Sequence, residues 1–132
     1  MDERDRHKQG MATRRSVLGD AHVDRAEKNS NAFNADFQDF ITRYAWGEVW
    51  SRPGLEKKTR SLLTIAMLIA LNREDELRMH LRAAANTGVT RAEIKEAILQ
   101  SGLYCGLPAA NGAMHLAQEV FDTTDEWRAK KD

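Results

Sequence analysis

Leu62 to Leu71 reads LLTIAMLIAL, ten residues with one hydroxyl and no charge. On a helix this run is apolar almost all round, and a helix without a polar face is buried on every side. In a chain of 132 residues that predicts a central helix or one covered at a subunit interface. The run is too short to span a membrane. Its polar lead-in places the whole helix over 56–71, and Asn72 marks its stop.

Working outward, residues 74–87, EDELRMHLRAAANT, open with acids and end before Gly88, as helices do. Thr90 to Glu93, TRAE, is a capping box before the apolar positions Ile94, Ala97 and Ile98. Gly106 can end that helix, and Pro108 can begin the next one, through about Phe121. Upstream, SNAFNADFQDFITRYAWGEVW (30–50) sets Phe33, Phe37, Phe40 (or Ile41) and Tyr44 at three- and four-residue steps, one helical stripe. Pro53-Gly54 then turns the chain. Strand alternation is absent. The expected fold is all-α, a compact bundle of about six helices. Residues 1–13, charged and without periodicity, are expected to form a mobile tail. Residues 122–132 are expected to be a second tail, with Trp127 able to dock.

Lysine plus arginine and aspartate plus glutamate each number 20. That balance argues against general affinity for nucleic acid or anionic membrane. The RRSVLG stretch (14–19) has the look of a twin-arginine signal, but the charged DAHVDRAEKN follows where an apolar segment belongs. A cytoplasmic location is expected. One cysteine, Cys105, makes no internal disulfide and fits a reducing compartment.

His80 shares a helix face with Leu77, Leu81 and Ala84. It reads either as a core histidine satisfied by one hydrogen bond or as a general acid or base, since imidazole titrates near neutral pH. His115 reads as a surface position. No His, Cys or carboxylate cluster has zinc-site spacing, so neither metal nor cofactor is expected. Between Arg43 and Trp50, RYAWGEVW sets Arg43 and Glu48 among Tyr44, Trp46 and Trp50. Charges among large apolar groups need partners or a ligand. Arg60, at the edge of the most apolar helix, poses the same question, with a surface snorkel as its plain alternative.

Several stretches together resemble the carboxymuconolactone decarboxylase family: VLGDAHVDRA (17–26), FQDFITRYAWGEVWSRPGL (37–55), KTRSLLTIAMLIAL (58–71), HLRAAANTGVTRAEIKEAILQ (80–100) and YCGLPAANGA (104–113). The resemblance covers about 14–121, which is taken as the domain. The wider superfamily includes alkyl hydroperoxidase D-like proteins with the pattern E-(11 residues)-C-x-x-C-x-x-x-H. Glu93 and Cys105 fit its first two positions, but Pro108 and Gly112 replace the second cysteine and the histidine. A lone thiol cannot cycle through an internal disulfide, which counts against the alternative of a thiol-dependent peroxidase. A non-catalytic oligomeric ligand-binding protein is the other alternative.

The resemblance implies cofactor-independent decarboxylation of γ-carboxymuconolactone, in protocatechuate catabolism, to β-ketoadipate enol-lactone. It implies His80 as proton donor, with Glu48 or Glu93 orienting it. Arg43 and Arg60, and more weakly Arg15, would hold the substrate carboxylates. Tyr44 and Trp46 would wall the pocket, and Cys105 would serve as a pocket-wall or packing residue. It further implies a homo-oligomer, a hexamer built as a trimer of dimers.

Overall fold

The computed structural model describes residues 1–132, and it is all-α. The helices are α1 (Glu3–Leu18), α2 (Asp20–Lys28), α3 (Ala35–Ile41), α4 (Lys57–Leu71), α5 (Glu74–Ala83), α6 (Arg91–Cys105), α7 (Leu107–Thr123) and α8 (Asp125–Arg128). A π-helical segment, Thr42–Val49, continues directly from α3. The chain divides into two units, residues 1–57 and 58–132.

The first unit is organised by the approach of α1 to the π segment. Gly10 of α1 lies against the Thr42 carbonyl, and a Cβ there would collide with that oxygen and stand 2.9 Å from the Gly47 nitrogen. A Cβ on Gly47 would stand 2.5 Å from the Arg6 carbonyl oxygen. Backbone therefore meets backbone, which only glycine permits. The wider π turn is anchored at its start by Thr42, whose hydroxyl donates to the Gln38 carbonyl at 2.8 Å. Farther along, the Trp50 amide reaches back five residues to the Ala45 carbonyl. Val17, Leu18, Val23 and Trp46 supply buried apolar surface.

Residues 1–13, expected as a tail, thus carry most of α1, and Gly10 and Thr13 are buried. Their charge hid the pattern: the buried positions 10, 13, 14, 17 and 18 follow helical steps, but one is glycine and one arginine. The aromatic stripe of α3 also behaves unlike a core face. Phe33, Phe37 and Phe40 are exposed, and Thr42 and Trp46 are buried instead. Phe33, Phe37 and Phe40 all precede the π segment; its changed angular step bears only on the residues beyond them, where Thr42 and Trp46 are buried and Tyr44 is not.

The second unit holds one apolar core. Ile65 and Ile69 of α4, Leu81 of α5, Ile98 of α6, Leu116 of α7 and Trp127 of α8 all belong to it. Asn72 ends α4 in the left-handed region, φ 56°, as asparagine can. The capping box forms in both directions: Glu93 N–H donates to the Thr90 hydroxyl, and Thr90 N–H donates to the Glu93 carboxylate. Gly106, at φ 105°, joins α6 to α7, and Pro108 sits in the first turn of α7. Trp127 is fully buried, and its Nε1–H donates to the Leu81 carbonyl at 2.7 Å. Eight α-helices therefore stand where about six were expected, the additions including α8, which docks the C-terminal segment through Trp127.

The expectation that α4 is buried all round is not met within this chain. Ser61, Ile65 and Ile69 are buried, whereas Leu63, Met67 and Leu71 are 48, 56 and 61 % exposed. One face of LLTIAMLIAL packs and another is left open.

Candidate functional site

In the first unit, Arg43 and Tyr44 converge on one carboxylate. Glu3 Oε1 accepts from Arg43 Nη1 at 2.8 Å and from the Tyr44 hydroxyl at 2.7 Å, and Glu3 Oε2 accepts from Arg6 Nε at 3.1 Å. Arg43 Nε also donates to Asp39 at 2.8 Å. Glu48 accepts from Arg6 at 2.6 Å and from Arg52 at 3.1 Å. Trp46 is buried and packs on Trp50, ring centroids 5.0 Å apart. The spacing of RYAWGEVW accounts for this. Residues 43, 44 and 48 face outward to charged partners, whereas 46 turns inward.

The hydrogen bonds from Tyr44, Arg43 and Arg6 lower the Glu3 carboxyl pKa from 4.5 to about 2. The folded pKa lies below the unfolded one. Glu3 therefore stabilises the fold fully above about 4.5 and loses that contribution as pH falls toward 2. Thermal unfolding of wild type and Glu3→Gln should show a gap at pH 6 that closes on acidification. A gap that does not change with pH would contradict this ionic pairing.

Arg15 and Arg14 illustrate what a sequence hides. Arg15 pairs with Asp20 at 3.1 Å and Asp24 at 2.9 Å on the surface. Its neighbour Arg14 is only 5 % exposed and donates to neutral acceptors, Thr42 at 3.3 Å and Gln38 at 3.0 Å. Burial lowers its pKa. Arg14, not Arg15, is the desolvated cation; the 10-13-14-17-18 pattern was the available signal.

In the second unit, His80 of α5 is 8 % exposed and sits on the face of Leu77, Leu81 and Ala84, as its spacing predicts. Arg60 is half-buried on α4. Glu93 is committed elsewhere than to His80. Its Oε1 accepts from the Thr90 N–H and hydroxyl at 2.9 and 3.1 Å, and its Oε2 pairs with Lys58 Nζ at 2.8 Å. The Lys58 ammonium foremost lowers its pKa. The contacts of Glu93 thus go to Thr90 and Lys58 rather than to His80, where an orienting contact was expected. Cys105 is an exposed free thiol at the end of α6, so the expected packing role is not seen in this chain. Tyr104 and Leu103 beside it are exposed too. No three His, Cys, Asp or Glu side chains are grouped to hold a metal ion.

All-α architecture, guanidinium groups that already grip carboxylates and a histidine embedded in apolar surface define a class: helical proteins suited to acid–base chemistry on small anions. Sequence comparison narrows this. The pattern of the Carboxymuconolactone decarboxylase family matches residues 35–119, and the chain belongs to that family. A 4-carboxymuconolactone decarboxylase of Acinetobacter baylyi (strain ATCC 33305 / BD413 / ADP1) is 64 % identical over 121 residues, covering 92 % of this chain and 90 % of the relative. The nitrosuccinic acid decarboxylase npaB of Metarhizium robertsii (strain ARSEF 23 / ATCC MYA-3075) is 42 % identical over 124 residues, 93 % of this chain and 87 % of that protein. A 4-carboxymuconolactone decarboxylase of Pseudomonas putida is 56 % identical over 48 residues, 36 % of this chain and all of the relative's sequence.

Proposed function

We propose that this chain catalyses the decarboxylation of γ-carboxymuconolactone to β-ketoadipate enol-lactone and carbon dioxide. The observation that carries this reading is the 64 % identity with the Acinetobacter decarboxylase across 92 % of the chain. The chemistry suits side chains alone. The departing carboxylate sits on the γ carbon of an unsaturated lactone. Its electron pair runs through the ring double bond to the lactone carbonyl, giving a furan-like oxyanion. Protonation at the α carbon then yields the enol-lactone.

His80 supplies that proton; an acid so placed typically contributes about 10²–10⁴ in rate. Its apolar helix face favours the role, because charge interactions strengthen where water is excluded. Arg43 and Arg60 are the carboxylate-holding residues; Tyr44 adds a donor next to Arg43, and Trp46, packed on Trp50, is a wall residue of the first unit. Arg15, spent on Asp20 and Asp24, is the weaker candidate. Glu48, expected to orient His80, instead accepts from Arg6 and Arg52 and positions those guanidinium groups. The test is to generate γ-carboxymuconolactone in situ, add metal-free protein and follow carbon dioxide and enol-lactone. No acceleration of either overturns the reading. The kinship with a nitrosuccinic acid decarboxylase gives the assay a second arm, in which nitrosuccinate replaces the lactone.

Cys105→Ser should retain most of the activity, because the thiol is exposed and lacks a resolving partner. Near-total loss with an intact fold would return the thiol to the mechanism.

The protein acts as a homo-oligomer in this proposal, a hexamer assembled as a trimer of dimers, in the cytoplasm. Two open apolar faces support a covered surface: Leu63, Met67 and Leu71 on α4, and Leu99, Leu103 and Leu107 at the α6–α7 junction. Contiguous apolar surface of this kind marks interaction sites. Light scattering that finds only a 15.0 kDa species would defeat the assembly. No helix is long and apolar enough to cross a membrane.

A further inference from the structure

The carboxylate of Glu3 has the surroundings of a bound ligand. Three donors from two helical elements converge on it: Arg43 Nη1, the Tyr44 hydroxyl and Arg6 Nε. The Tyr44 ring lies against both guanidiniums, whose central carbons are 5.2 Å (Arg43) and 5.3 Å (Arg6) from its centroid. Each guanidinium is also held by a second acid. Asp39 takes Arg43 Nε at 2.8 Å, and Glu48 takes Arg6 Nη1 at 2.6 Å. Those two acids would keep the fork-shaped donors aimed if Glu3 left, which is what a preorganised carboxylate site needs.

Charge and access point the same way. Arg6, Arg43 and Arg52 face Glu3, Asp39 and Glu48, three cations to three anions. Without Glu3, Arg6 and Arg43 each lose one of two acid partners, a loss that one incoming carboxylate can match. Beside it lies an open surface hollow walled by Glu3, Arg4, His7, Asp39 and Arg43, so that of the three donors Arg43 faces it. Glu3 is the first residue of α1 and its side chain is half exposed. Helix ends open at lower cost than helix middles, so this carboxylate can leave without disturbing the Gly10 contact two turns away.

We propose that Arg6, Arg43 and Tyr44 form a carboxylate-binding subsite in which Glu3 is the resident stand-in, exchanging with a carboxylate of the small-molecule substrate. Which molecule brings that carboxylate rests on the decarboxylase reading; binding itself does not. Arg6 thereby becomes a substrate-contacting residue, and Glu3 an internal competitor.

A purely structural clamp and an exchangeable stand-in predict opposite results. Succinate serves as the probe and succinamide as its uncharged control, titrated by calorimetry into wild type, Glu3→Gln and Glu3→Gln/Arg43→Gln. With its internal competitor removed, Glu3→Gln binds succinate at least about tenfold tighter, the gain for a cradle vacant no more than about a tenth of the time in wild type. The double variant loses that gain, and succinamide shows none. Equal or weaker succinate binding by Glu3→Gln overturns the proposal, as does a gain that survives Arg43→Gln. A second measurement needs no variant. In wild type labelled with ¹³C at glutamate carboxyls, saturating succinate should return the Glu3 resonance to the titration range of a free glutamate. A Glu3 resonance unmoved by succinate also overturns it. Neither readout requires turnover, so a protein that binds succinate but leaves the lactone intact keeps the subsite and loses only the proposed reaction.

Discussion

Replacing His80 by glutamine is expected to lower kcat for the lactone by about 10²–10⁴ while leaving a folded protein, the range for loss of a general acid. The amide fills similar space and keeps hydrogen-bonding capacity, but it has no proton to deliver near neutral pH. Its position on α5 makes the comparison clean. The side chain is almost fully buried beside Leu77, Leu81 and Ala84, so a larger or charged replacement would confuse packing with chemistry. Circular dichroism and thermal unfolding establish the fold, and single-turnover measurement of carbon dioxide isolates the chemical step. Near-wild-type turnover in a folded His80→Gln would remove the proton-donor role and return His80 to an ordinary core histidine.

Gly10→Ala should cause the largest loss of stability of any single-methyl addition to the first unit, about 3 kcal/mol, the upper end of overpacking costs. The new Cβ collides with the Thr42 carbonyl and crowds the Gly47 nitrogen. Both are backbone, so no rotamer change relieves the clash, and α1 must move off the π segment. That displacement would also pull Arg6 and Glu3 from Tyr44 and Arg43, weakening carboxylate binding through geometry alone. Gly54→Ala is the matched control, because a Cβ there meets nothing within 4 Å. Hydrogen exchange across Arg6–Val17 measures the effect. If Gly10→Ala is as stable as Gly54→Ala, α1 and the π segment are not held in backbone contact.

The two predictions probe different kinds of sequence signal. His80 was legible because three- and four-residue spacing alone puts it beside Leu77, Leu81 and Ala84. Gly10 was not, because its meaning depends on Thr42 and Gly47, more than thirty positions away. The same division holds elsewhere. Thr90 and Glu93 announced their capping box because both partners lie within one helical turn. Glu93 was also expected to orient His80, yet its contacts go to the box and to Lys58; Lys58 lies thirty-five positions upstream. Arg43, Tyr44 and Glu48 stood out as polar groups among aromatics, but their partners Glu3 and Arg6 lay in a segment whose charge suggested no structure at all.

By itself the sequence determined the all-α character, the stops at Asn72 and Gly106, the cap at Thr90, the family resemblance and the helix face of His80. These rest on periodicity and on backbone preferences confined to a few consecutive residues. Only the tertiary structure decided that residues 3–18 form a helix, that Arg14 and not Arg15 is the buried cation, and that the stripe from Phe33 to Phe40 faces out. It alone placed Glu3 in the grip of Arg6, Arg43 and Tyr44. The physical reason is common to all of these. Whether a helix face is buried, or a charge paired, depends on groups that reach it through space, and local pattern records only which faces are available to be covered.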